Sequence, residues 1–404
     1  MWIGWWMKWK PSTGRSSIAD LRRVLVVMPN WFGEALFTTP FLTALRAARP
    51  DAVIAALGVP RVQEILRHVP ELDAVVVYDE AGAHRSLGAK WGLARALRRQ
   101  RFDAAFILRP SASRTALAWL AGIPARVGFA HAKGGWLLTH RVLATEPVPS
   151  TLARACRRPR GRRPPDGGRH KSQTYLALLS GLGLEARPAP YRYQPTEAER
   201  REAAAWLHAQ GLADGRRLLI VHPGANWWHK RWPPERFAQA ADRLARATGG
   251  CIALTGAAED LPLVERVQSR MATPPLILAG KTTVPQMAAC LSHASLMLSN
   301  DTGVMHLAAA VGCPVVALYG PTAPAFVGPL GDPQRTRVLH HPDCCPEIPC
   351  AQPEHPGYPG MNAISVDEVS NAAQQLLGNA ECGVRSAECK PSIPNSEFRI
   401  PNST

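Results

Sequence analysis

The sequence contains no apolar run of the roughly 18–20 residues that a helix needs to cross a bilayer. It also lacks the short motifs of several common nucleotide-binding and hydrolase folds. No G-x-G-x-x-G follows the first predicted strand and no G-x-x-x-x-G-K-[ST] occurs anywhere, which disfavours a Rossmann dehydrogenase and a P-loop nucleotide hydrolase. The absence of G-x-S-x-G disfavours an α/β-hydrolase. No D-x-D stands at a strand end to hold a divalent metal beside a nucleotide sugar.

Acidic residues are few compared with basic ones. The sequence has 31 Asp and Glu against 47 Lys and Arg, which gives a net charge of +16 and a pI near 9.9. This surplus favours anionic partners, namely phosphates, acidic lipids or nucleic acid, without choosing among them. Hydrophobic residues make up 46% of the 404 residues, so most of the chain should fold, and its length suits two domains.

The sequence has nine cysteines. Some are scattered among apolar neighbours, which is typical of buried thiols in a reducing cytosol: Cys156, Cys251, Cys290 and Cys313. Others cluster with histidines: Cys344, Cys345 and Cys350 with His340, His341 and His355. Because this cluster lacks a paired C-x-x-C spacing, a metal site is its less favoured interpretation. We expect neither a metal nor another cofactor.

Three segments have the composition of irregular chain. Residues 1–21 combine Trp with Lys but lack the order of a signal peptide, so we expect a disordered extension, with contact to a membrane interface as the alternative. Residues 146–171 are rich in Pro, Gly and Arg and predict a mobile basic loop. That loop has no aromatic residues for stacking on bases, so we expect no nucleic-acid partner. Residues 379–404 show no periodicity and predict a disordered tail.

Short apolar runs alternate with amphipathic helical patterns along the first half of the chain. Strands are predicted over 23–29, 52–58, 73–79 and 102–108. A helical pattern follows each of them, beginning with Gly33 to Arg49, and another covers 171–183. Continuous apolar strands separated by helices indicate a parallel sheet that is covered on both faces.

The same alternation starts again in the second half. Strands are predicted over 217–224, 251–256, 275–280, 294–301 and 314–320. Helices are predicted over 234–247, 259–271, 284–292, 303–311 and 365–378, the last beginning with a capping box of Ser365 and Glu368. We therefore expect two α/β domains, residues 22–190 and 191–378, with ligands at the carboxyl ends of the strands.

The strongest local motif is S-N-D-T-G-V-M-H, residues 299–306, where a predicted strand runs directly into a helix. The unpaired N–H groups of such a helix start suit a phosphate. Thr302 adds a hydroxyl, Gly303 allows close approach of the backbone, and His306 follows one turn later as a donor to a phosphate or a ribose. The alternative is that Asp301 or Thr302 is a simple N-cap, which does not explain the accompanying Gly and His.

Weaker signals follow other predicted strands. In V-H-P-G-A-N-W-W-H-K-R-W, Lys230 and Arg231 are two cations on a loop, a placement that suits a diphosphate, while packing is the simpler interpretation of each Trp. Glu259 could bind ribose hydroxyls or only stabilise a helix dipole. Thr282 follows a strand in the same way and carries the same ambiguity.

Glu34 ends the stretch P-N-W-F-G-E, where the first predicted strand turns into a helix. An acid in the first turn of a helix stabilises the helix dipole. In an enzyme, the same carboxylate could act as a general base. The residues themselves leave both interpretations open.

Three segments together resemble glycosyltransferase family 9, the heptosyltransferases: LVVMPNWFGEALFTTPFLTALR, VHPGANWWHKRWPPERFAQAADRL and SNDTGVMHLAAAVGCPVVALYGPT. The resemblance covers about residues 22–378, and the N-D-T-G-x-x-H block with its Y-G-P continuation is the most specific part. It implies a GT-B fold, an α/β architecture of two Rossmann-like parallel-sheet domains facing across a cleft. It also implies an inverting, metal-independent transfer from ADP-heptose to a lipid A–core oligosaccharide of lipopolysaccharide.

The resemblance assigns roles to individual residues. Glu34 stands where the family has its catalytic acid, usually an Asp, and Lys230 stands where the family has a cation after the H-P-G loop. Contacts to the donor fall on the remaining positions: Asp301, Thr302, Gly303, His306, Glu259 and Thr282. The N-terminal domain would bind the acceptor and the C-terminal domain the donor. A lipid-anchored acceptor implies a cytoplasmic enzyme that associates peripherally with the inner membrane.

Overall fold

The computed structural model describes residues 21–130, 134–143, 170–341 and 359–387. The N-terminal extension, most of the predicted basic loop and residues 388–404 lie outside this part of the chain. The same is true of several cysteines and a histidine discussed above: Cys156, Cys344, Cys345, Cys350 and His355.

The chain divides into two compact units. The first is Met1–Thr196 with Ala325–Leu330, and the second is Glu197–Pro324 with Gly331–Thr404. The boundary predicted from the sequence was at 190/191, and no sequence pattern indicated that residues 325–330 belong to the first unit. Within the described residues, each unit is built around one parallel sheet.

The sheet of the first unit has the order β3-β2-β1-β4-β5-β6, and all of its neighbouring strands are parallel. Its strands are β1 (Arg23–Val27), β2 (Val53–Gly58), β3 (Ala74–Val77), β4 (Ala104–Ile107), β5 (Ala125–Phe129) and β6 (His140–Val142). Its helices are α1 (Phe32–Phe37), α2 (Thr39–Ala48), α3 (Pro60–Leu66), α4 (Leu87–Arg99), α5 (Ala112–Leu120) and α6 (Lys171–Ser180), with a 3₁₀ turn at Gly135–Leu137.

The sheet of the second unit has the order β12-β11-β10-β7-β8-β9, again with parallel neighbours. Its strands are β7 (Leu218–His222), β8 (Cys251–Leu254), β9 (Leu276–Ile277), β10 (Ala294–Asn300), β11 (Val315–Tyr319) and β12 (Thr336–His340). The helices of this part of the chain are α7 (Glu197–Ala209), α8 (Pro234–Thr248), α9 (Leu261–Gln268), α10 (Val284–His293), α11 (Gly303–Val311), α12 (Pro324–Val327), α13 (Pro359–Ala363) and α14 (Val366–Ala387). Short 3₁₀ turns cover Trp228–Lys230, Ala258–Asp260 and Pro333–Arg335.

The two sheets share one topology. In each, the first and fourth strands of the unit are neighbours, and the strand order reverses between them. This reversal is the switch point at which open α/β sheets bind ligands beyond the carboxyl ends of their strands. The relevant loops are therefore those after β1 and β4 in the first unit, and those after β7 and β10 in the second.

The burial of the central strands explains why the sequence predicts them. β1 is buried from Val24 to Val27 and β7 from Leu218 to His222. A strand covered by helices on both faces has no solvent-facing side, so it is apolar along its whole length. Apolar stripes of the helices complete this core; in the second unit, α8 contributes Phe237, Ala241 and Leu244.

Some elements that are short or polar were not predicted from the sequence, namely β5, β6, β12 and α7. β6 and β12 lie at the edges of their sheets, and β12 is only partly buried, so neither has the continuous apolar run of a central strand. α7 buries just Ala203 and Leu207 among its described side chains, which leaves too narrow an apolar stripe to recognise.

The predicted helix from Gly33 to Arg49 was wrong as a single element, because it is divided at Thr38 into α1 and α2. Pro40 has no N–H to donate to the preceding turn. The Thr38 hydroxyl instead donates to the Ala35 carbonyl (2.6 Å) and the Thr39 hydroxyl donates to the Leu36 carbonyl (2.8 Å). Side-chain hydroxyls thus replace part of the helical ladder at the break.

The last helix begins where the capping box predicts. The Ser365 N–H donates to Glu368 Oε2 (2.8 Å), and the Glu368 N–H donates to Ser365 Oγ (3.1 Å). The predicted end at Gly378 was wrong, since α14 continues to Ala387.

The described cysteines fit the sequence expectation of buried thiols: Cys251, Cys290 and Cys313 are buried and unbridged. Helices capable of crossing a membrane, which must be both long and apolar, are absent from the described residues. The described residues also contain no group of three or more His, Cys, Asp or Glu arranged to hold a metal ion.

Candidate active site

An ion pair occupies the switch point of the second unit. Lys230 lies in the short 3₁₀ turn after β7, and Asp301 directly follows the last residue of β10. Lys230 Nζ lies 2.5 Å from Asp301 Oδ2, and both residues are buried. They are 71 positions apart in the sequence, yet β7 and β10 are neighbours, so their carboxyl ends bring the two side chains together.

The Asp301 carboxylate has further partners. The Thr322 hydroxyl donates to Oδ2 (2.6 Å), and His306 Nε2 lies 4.0 Å from Oδ1. A buried carboxylate needs such partners to offset its lost hydration. Thr322, which follows β11 at the end of the Y-G-P-T stretch, was not singled out in the sequence. The one signal for Thr322 in the sequence was its position at the end of the stretch that continues the N-D-T-G-x-x-H block.

Thr302 is the N-cap of α11. Its backbone is extended, and its hydroxyl accepts a hydrogen bond from the Met305 N–H (3.4 Å). The N-cap interpretation therefore holds for Thr302 and not for Asp301, whose side chain points to Lys230 and Thr322. Gly303 begins the helix, so the backbone N–H groups of its first turn follow Asp301 after a single residue, the N-cap Thr302.

Asn300 holds the loop that carries Lys230. Its Oδ1 accepts from the Trp232 N–H (3.1 Å), and its Nδ2 donates to the Pro223 carbonyl (2.8 Å). Trp232 is fully buried, donates its indole N–H to the Ile364 carbonyl (3.0 Å), and packs edge-on against Phe237. The packing interpretation of this Trp is confirmed. Asn300 therefore has a structural role, because it fixes the backbone of the loop after β7. In the sequence it was recognisable only as a member of the S-N-D-T-G-V-M-H motif.

His222, the last residue of β7, contributes no charge to this site at neutral pH. Burial lowers its pKa from 6.5 to about 4, against the opposing effect of the nearby Asp260 carboxylate. The positive charge of the loop after β7 therefore resides on Lys230 and Arg231. Arg231 donates from Nε to the Ala225 carbonyl (3.0 Å) and lies 3.9 Å from Asp260.

Asp260 is built into the loops at the ends of β7 and β8. It accepts from the Ala257 N–H (3.1 Å). A Cβ at Gly224 would lie 2.6 Å from a carboxylate oxygen of Asp260, and a Cβ at Gly256 would lie 2.8 Å from the Cβ of Asp260. The glycines of both loops are thus required for the close approach of Asp260.

Two of the predicted donor contacts stand apart from this cluster. Glu259 is exposed in the 3₁₀ turn before α9, and Thr282 is half-buried shortly before α10. Within the described part of the chain, neither has a hydrogen bond to Lys230 or Asp301. The structure therefore brings Asp301, Lys230 and His306 together but not these two.

Glu34 lies at the switch point of the first unit, in the first turn of α1 after β1. Its carboxylate forms an ion pair with the ammonium group of Lys171, the first residue of α6. Both side chains are largely buried. No motif indicated Lys171; in the sequence it was the last residue of the basic segment and the first residue of the predicted helix over 171–183.

The start of α6 is fixed firmly around this pair. His170 Nε2 donates to the Gly328 carbonyl (3.0 Å), its Nδ1 accepts from the Ser172 N–H (3.1 Å), and its ring packs edge-on against Phe37. Burial lowers the His170 pKa to about 4. Tyr175, one turn further along α6, has its pKa raised well above 10 by burial and then by the charge of Glu34. Lys171 therefore starts from a rigid backbone.

A second buried cation supports the loop after β1. Arg114 donates from Nη1 to the Met28 carbonyl (3.0 Å) and from Nη2 to Glu80 Oε2 (3.2 Å). Burial, followed by the charge of Glu80, raises the pKa of Tyr78 to about 12. This cluster fixes Met28, which leads from β1 toward Glu34.

Comparison with known proteins identifies the family. The family model described as glycosyltransferase family 9 (heptosyltransferase) matches residues 90–355. The chain belongs to glycosyltransferase family 9. It is therefore an enzyme that transfers a glycosyl group, as the sequence motifs predicted.

Curated relatives within the family have related names. Lipopolysaccharide heptosyltransferase 2 of Escherichia coli K12 is 27% identical over 327 residues, which cover 78% of this chain and 87% of that protein. Lipopolysaccharide heptosyltransferase 3 of Escherichia coli is also 27% identical, over 304 residues that cover 74% of this chain and 83% of that protein.

Solved structures share the fold. A glycosyltransferase family 9 protein from Veillonella parvula DSM 2008 is 28% identical with a TM-score of 0.75, covering 89% of this chain and 98% of its own. The E. coli ADP-heptose LPS heptosyltransferase II is 23% identical with a TM-score of 0.70, covering 89% and 99%. The prediction of a GT-B fold, with two Rossmann-like parallel-sheet domains, is confirmed.

Proposed function

We propose that this family 9 glycosyltransferase moves a heptose from ADP-heptose to the inner core of lipopolysaccharide, with inversion at the anomeric carbon. The observation that carries the proposal is the buried Lys230–Asp301 pair beside the start of α11, at the switch point of the second sheet. The names of the relatives support the choice of heptose and of lipopolysaccharide.

The donor's diphosphate is assigned to the loop after β7 and the start of α11. An ammonium group has three N–H donors, and the hydrogen bond to Asp301 uses one of them. The others suit diphosphate oxygens, and the partial positive charge of the α11 N-terminus acts on the same anion. Thr302, Gly303 and His306 complete this contact surface. Asp301 then acts by orienting Lys230, because a carboxylate facing a diphosphate would repel it.

The nucleoside is assigned to the loops after β8 and β9. Glu259 is exposed at the start of the segment after β8, where its carboxylate can accept hydrogen bonds from ribose hydroxyls. Thr282 lies after β9 at the same edge of the sheet. Exposure of Glu259 is compatible with this role, since a carboxylate without a hydrogen-bond partner among the described residues keeps its acceptor capacity for a ligand.

Removal of the proton from the acceptor hydroxyl is assigned to Glu34. Its carboxylate takes the proton of the acceptor hydroxyl while that oxygen forms a bond to the anomeric carbon. The bond from the anomeric carbon to the diphosphate oxygen breaks, and ADP leaves with the electron pair. Such a single displacement inverts the configuration. Lys230 and the α11 N-terminus stabilise the charge that develops on ADP, so the proposed transfer is metal-independent.

The acceptor also sets the proposed location. A lipid A–core oligosaccharide is anchored in a membrane, so its transferase must work at that surface. We therefore place the enzyme at the cytoplasmic face of the inner membrane as a peripheral protein. The net charge of +16 supports an anionic partner of this kind.

The alternatives are a transferase of the same fold with another nucleotide sugar or acceptor, and a nucleotide-sugar-binding protein without turnover. The second is motivated by Glu34, which stands where the family usually has Asp and is engaged by Lys171. Calorimetry with ADP, UDP and GDP separates the donors, and a preference for UDP would exclude ADP-heptose. Tight ADP binding without turnover on a panel of core acceptors would favour the binding protein.

The decisive assay uses the full chain, ADP-heptose and a heptose-bearing core acceptor, with the released ADP and the glycosylated product both measured. We expect ADP release to require the acceptor. Glu34→Gln should lower kcat by about 10²–10⁴-fold while ADP binding is retained. Glu64→Gln, which changes an exposed acid of α3, is the matched control. Full activity of Glu34→Gln would exclude Glu34 as the base.

A further inference from the structure

A long part of the first unit is almost free of acidic residues. Between Ala81 and Thr145 the sequence contains eleven Lys or Arg and a single acid, Asp103. That acid is used internally, since Asp103 Oδ2 accepts from the backbone N–H groups of Arg22 (2.8 Å) and Arg23 (2.7 Å). Arg114 is buried and Lys133 lies outside the described residues, but the other nine cations are partly or fully exposed, so the described surface of this segment is basic.

Helix α4 presents an apolar and basic stripe on its outer side. Leu93, Ala94 and Leu97 are buried against the sheet. The outer side carries residues at helical spacing, namely Leu87, Trp91, Arg95 and Arg98. Leu87 is 84% exposed and Trp91 is 52% exposed. Large apolar side chains on a soluble surface are informative when they are grouped in this way.

Two neighbouring elements carry further exposed Trp residues. α5 packs against α4, and the 3₁₀ turn Gly135–Leu137 packs against α5. Trp119 on α5 is 52% exposed and Trp136 in the 3₁₀ turn is 77% exposed. The Arg98 Nε lies 3.8 Å from the position of a Cβ at Gly122, so it reaches the end of α5 that carries Trp119.

These residues define a Trp–Arg face, made up of Leu87, Trp91, Arg95, Arg98, Trp119 and Trp136. We propose that the Trp–Arg face is the surface by which the enzyme docks on an anionic lipid bilayer. The inference rests on the proposed function in one respect, namely that the acceptor is lipid-linked. It goes beyond that function by assigning membrane contact to particular side chains.

The chemistry of the face fits a bilayer interface. Trp is enriched at the headgroup level of membranes because its ring is apolar and its N–H is polar. Arg is attracted to the negative surface potential of anionic lipids, and a basic helix with Trp and Leu is typical of proteins that lie on membranes. A second copy of the chain fits less well, because a two-fold interface on this face would bury the arginines of both copies together, and the face has no acid to offset them. Nucleic acid would bind the cations of the face but would leave the apolar side chain of Leu87 exposed to water, so it also fits less well than a bilayer.

The test is co-sedimentation of the full chain with phosphatidylcholine vesicles prepared with and without phosphatidylglycerol. We expect salt-sensitive binding to the anionic vesicles. Each cation near such a surface strengthens binding by about fivefold, so Arg95→Gln with Arg98→Gln should weaken it by about thirtyfold. Trp91→Ala with Trp119→Ala should also weaken it. The matched control is Arg201→Gln with Arg266→Gln, which makes the same charge change at exposed positions of the second unit.

Three outcomes would overturn the proposal. The first is unchanged vesicle binding by both variants of the face. The second is binding that survives those changes but is lost in Trp5→Ala with Trp6→Ala, which would assign membrane contact to the N-terminal segment. The third is concentration-dependent self-association, or binding to single-stranded DNA, that the variants of the face abolish while vesicle binding persists.

Activity separates this proposal from the proposed function. With a core acceptor from which the acyl chains have been removed, variants of the Trp–Arg face should retain the wild-type kcat and ADP affinity. With acceptor embedded in anionic vesicles, their activity should fall in parallel with vesicle binding. If no heptose transfer is detected with either acceptor while vesicle binding follows the predictions above, the proposed function fails and the docking surface stands.

Discussion

The ammonium group of Lys171 is in direct contact with the carboxylate of Glu34, 137 positions earlier in the sequence. The proposed base is therefore held by a cation at the start of α6. This contact also bears on the length of Glu34, which has one more rotatable bond than Asp. An ion pair with a lysine on a rigid backbone restricts that extra freedom, and so positions the carboxylate.

Replacing Lys171 by Met should lower kcat by up to about a hundredfold, because a misplaced catalytic group can cost that much. The KM for the donor should not change, since Lys171 belongs to the first unit. Lys171→Arg should restore part of the rate by restoring the charge. Steady-state kinetics measure the split between kcat and KM, and Lys90→Met, at a half-buried lysine of α4 in the same unit, is the control. An unchanged kcat in Lys171→Met would contradict the positioning role.

Asp301→Asn should destabilise the second unit. The change leaves the buried ammonium group of Lys230 without its counter-charge, and breaking one side of a buried pair costs about 3–5 kcal/mol of unfolding free energy. Urea unfolding measures this loss. Asp214→Asn, at an exposed position, should change stability little. Equal stability of Asp301→Asn and the wild type would mean that the pair contributes nothing to the fold.

Glu259→Ala should weaken ADP binding by about tenfold, the effect of losing one hydrogen bond from a charged acceptor. The change should leave stability unaltered, because Glu259 is exposed. Calorimetry with ADP measures the affinity. Glu265→Ala, an exposed acid on the adjoining helix α9, should bind ADP normally. If both variants bind like the wild type, Glu259 is not the ribose contact.

Stability should decrease as the pH falls from about 6.5 to 4. Burial lowers the pKa of His170 and of His222 to about 4, below the value of about 6.5 in an unfolded chain. In this range the unfolded chain binds more protons than the folded chain, so each histidine reduces the unfolding free energy by up to about 1.4 kcal/mol per pH unit. Above about pH 7.5, where the histidines are neutral in both states, neither should contribute to the pH dependence.

Urea unfolding at several pH values tests this expectation. His222→Asn should make the pH dependence shallower, whatever its effect on stability at neutral pH. Gln268→Asn, which removes no titratable group at an exposed position of α9, should leave the slope unchanged. Parallel curves for His222→Asn and the wild type would show that His222 does not titrate on unfolding.

The central strands and the start of α11 were predictable because the information is local. A strand buried on both faces, such as β1 or β7, is apolar throughout, and S-N-D-T-G is a strand end and a helix cap in consecutive residues. Edge elements such as β12 gave no comparable signal, because they are only partly buried and so lack a continuous apolar run. Glu34 and Lys230 were recognisable as candidates from their positions after strands.

The partners of those candidates were decided by tertiary structure. By itself the sequence determined an α/β chain with two sheets, a basic surplus and residues suited to a glycosyltransferase of family 9. It did not pair Lys171 with Glu34 or Thr322 with Asp301, since each pair joins distant segments that meet only when parallel strands and their helices assemble. It also gave the cations between Ala81 and Thr145 without their arrangement. Helical spacing and the packing of α4, α5 and the 3₁₀ turn placed two of them beside exposed Trp residues, because burial of one helix face leaves the other to solvent.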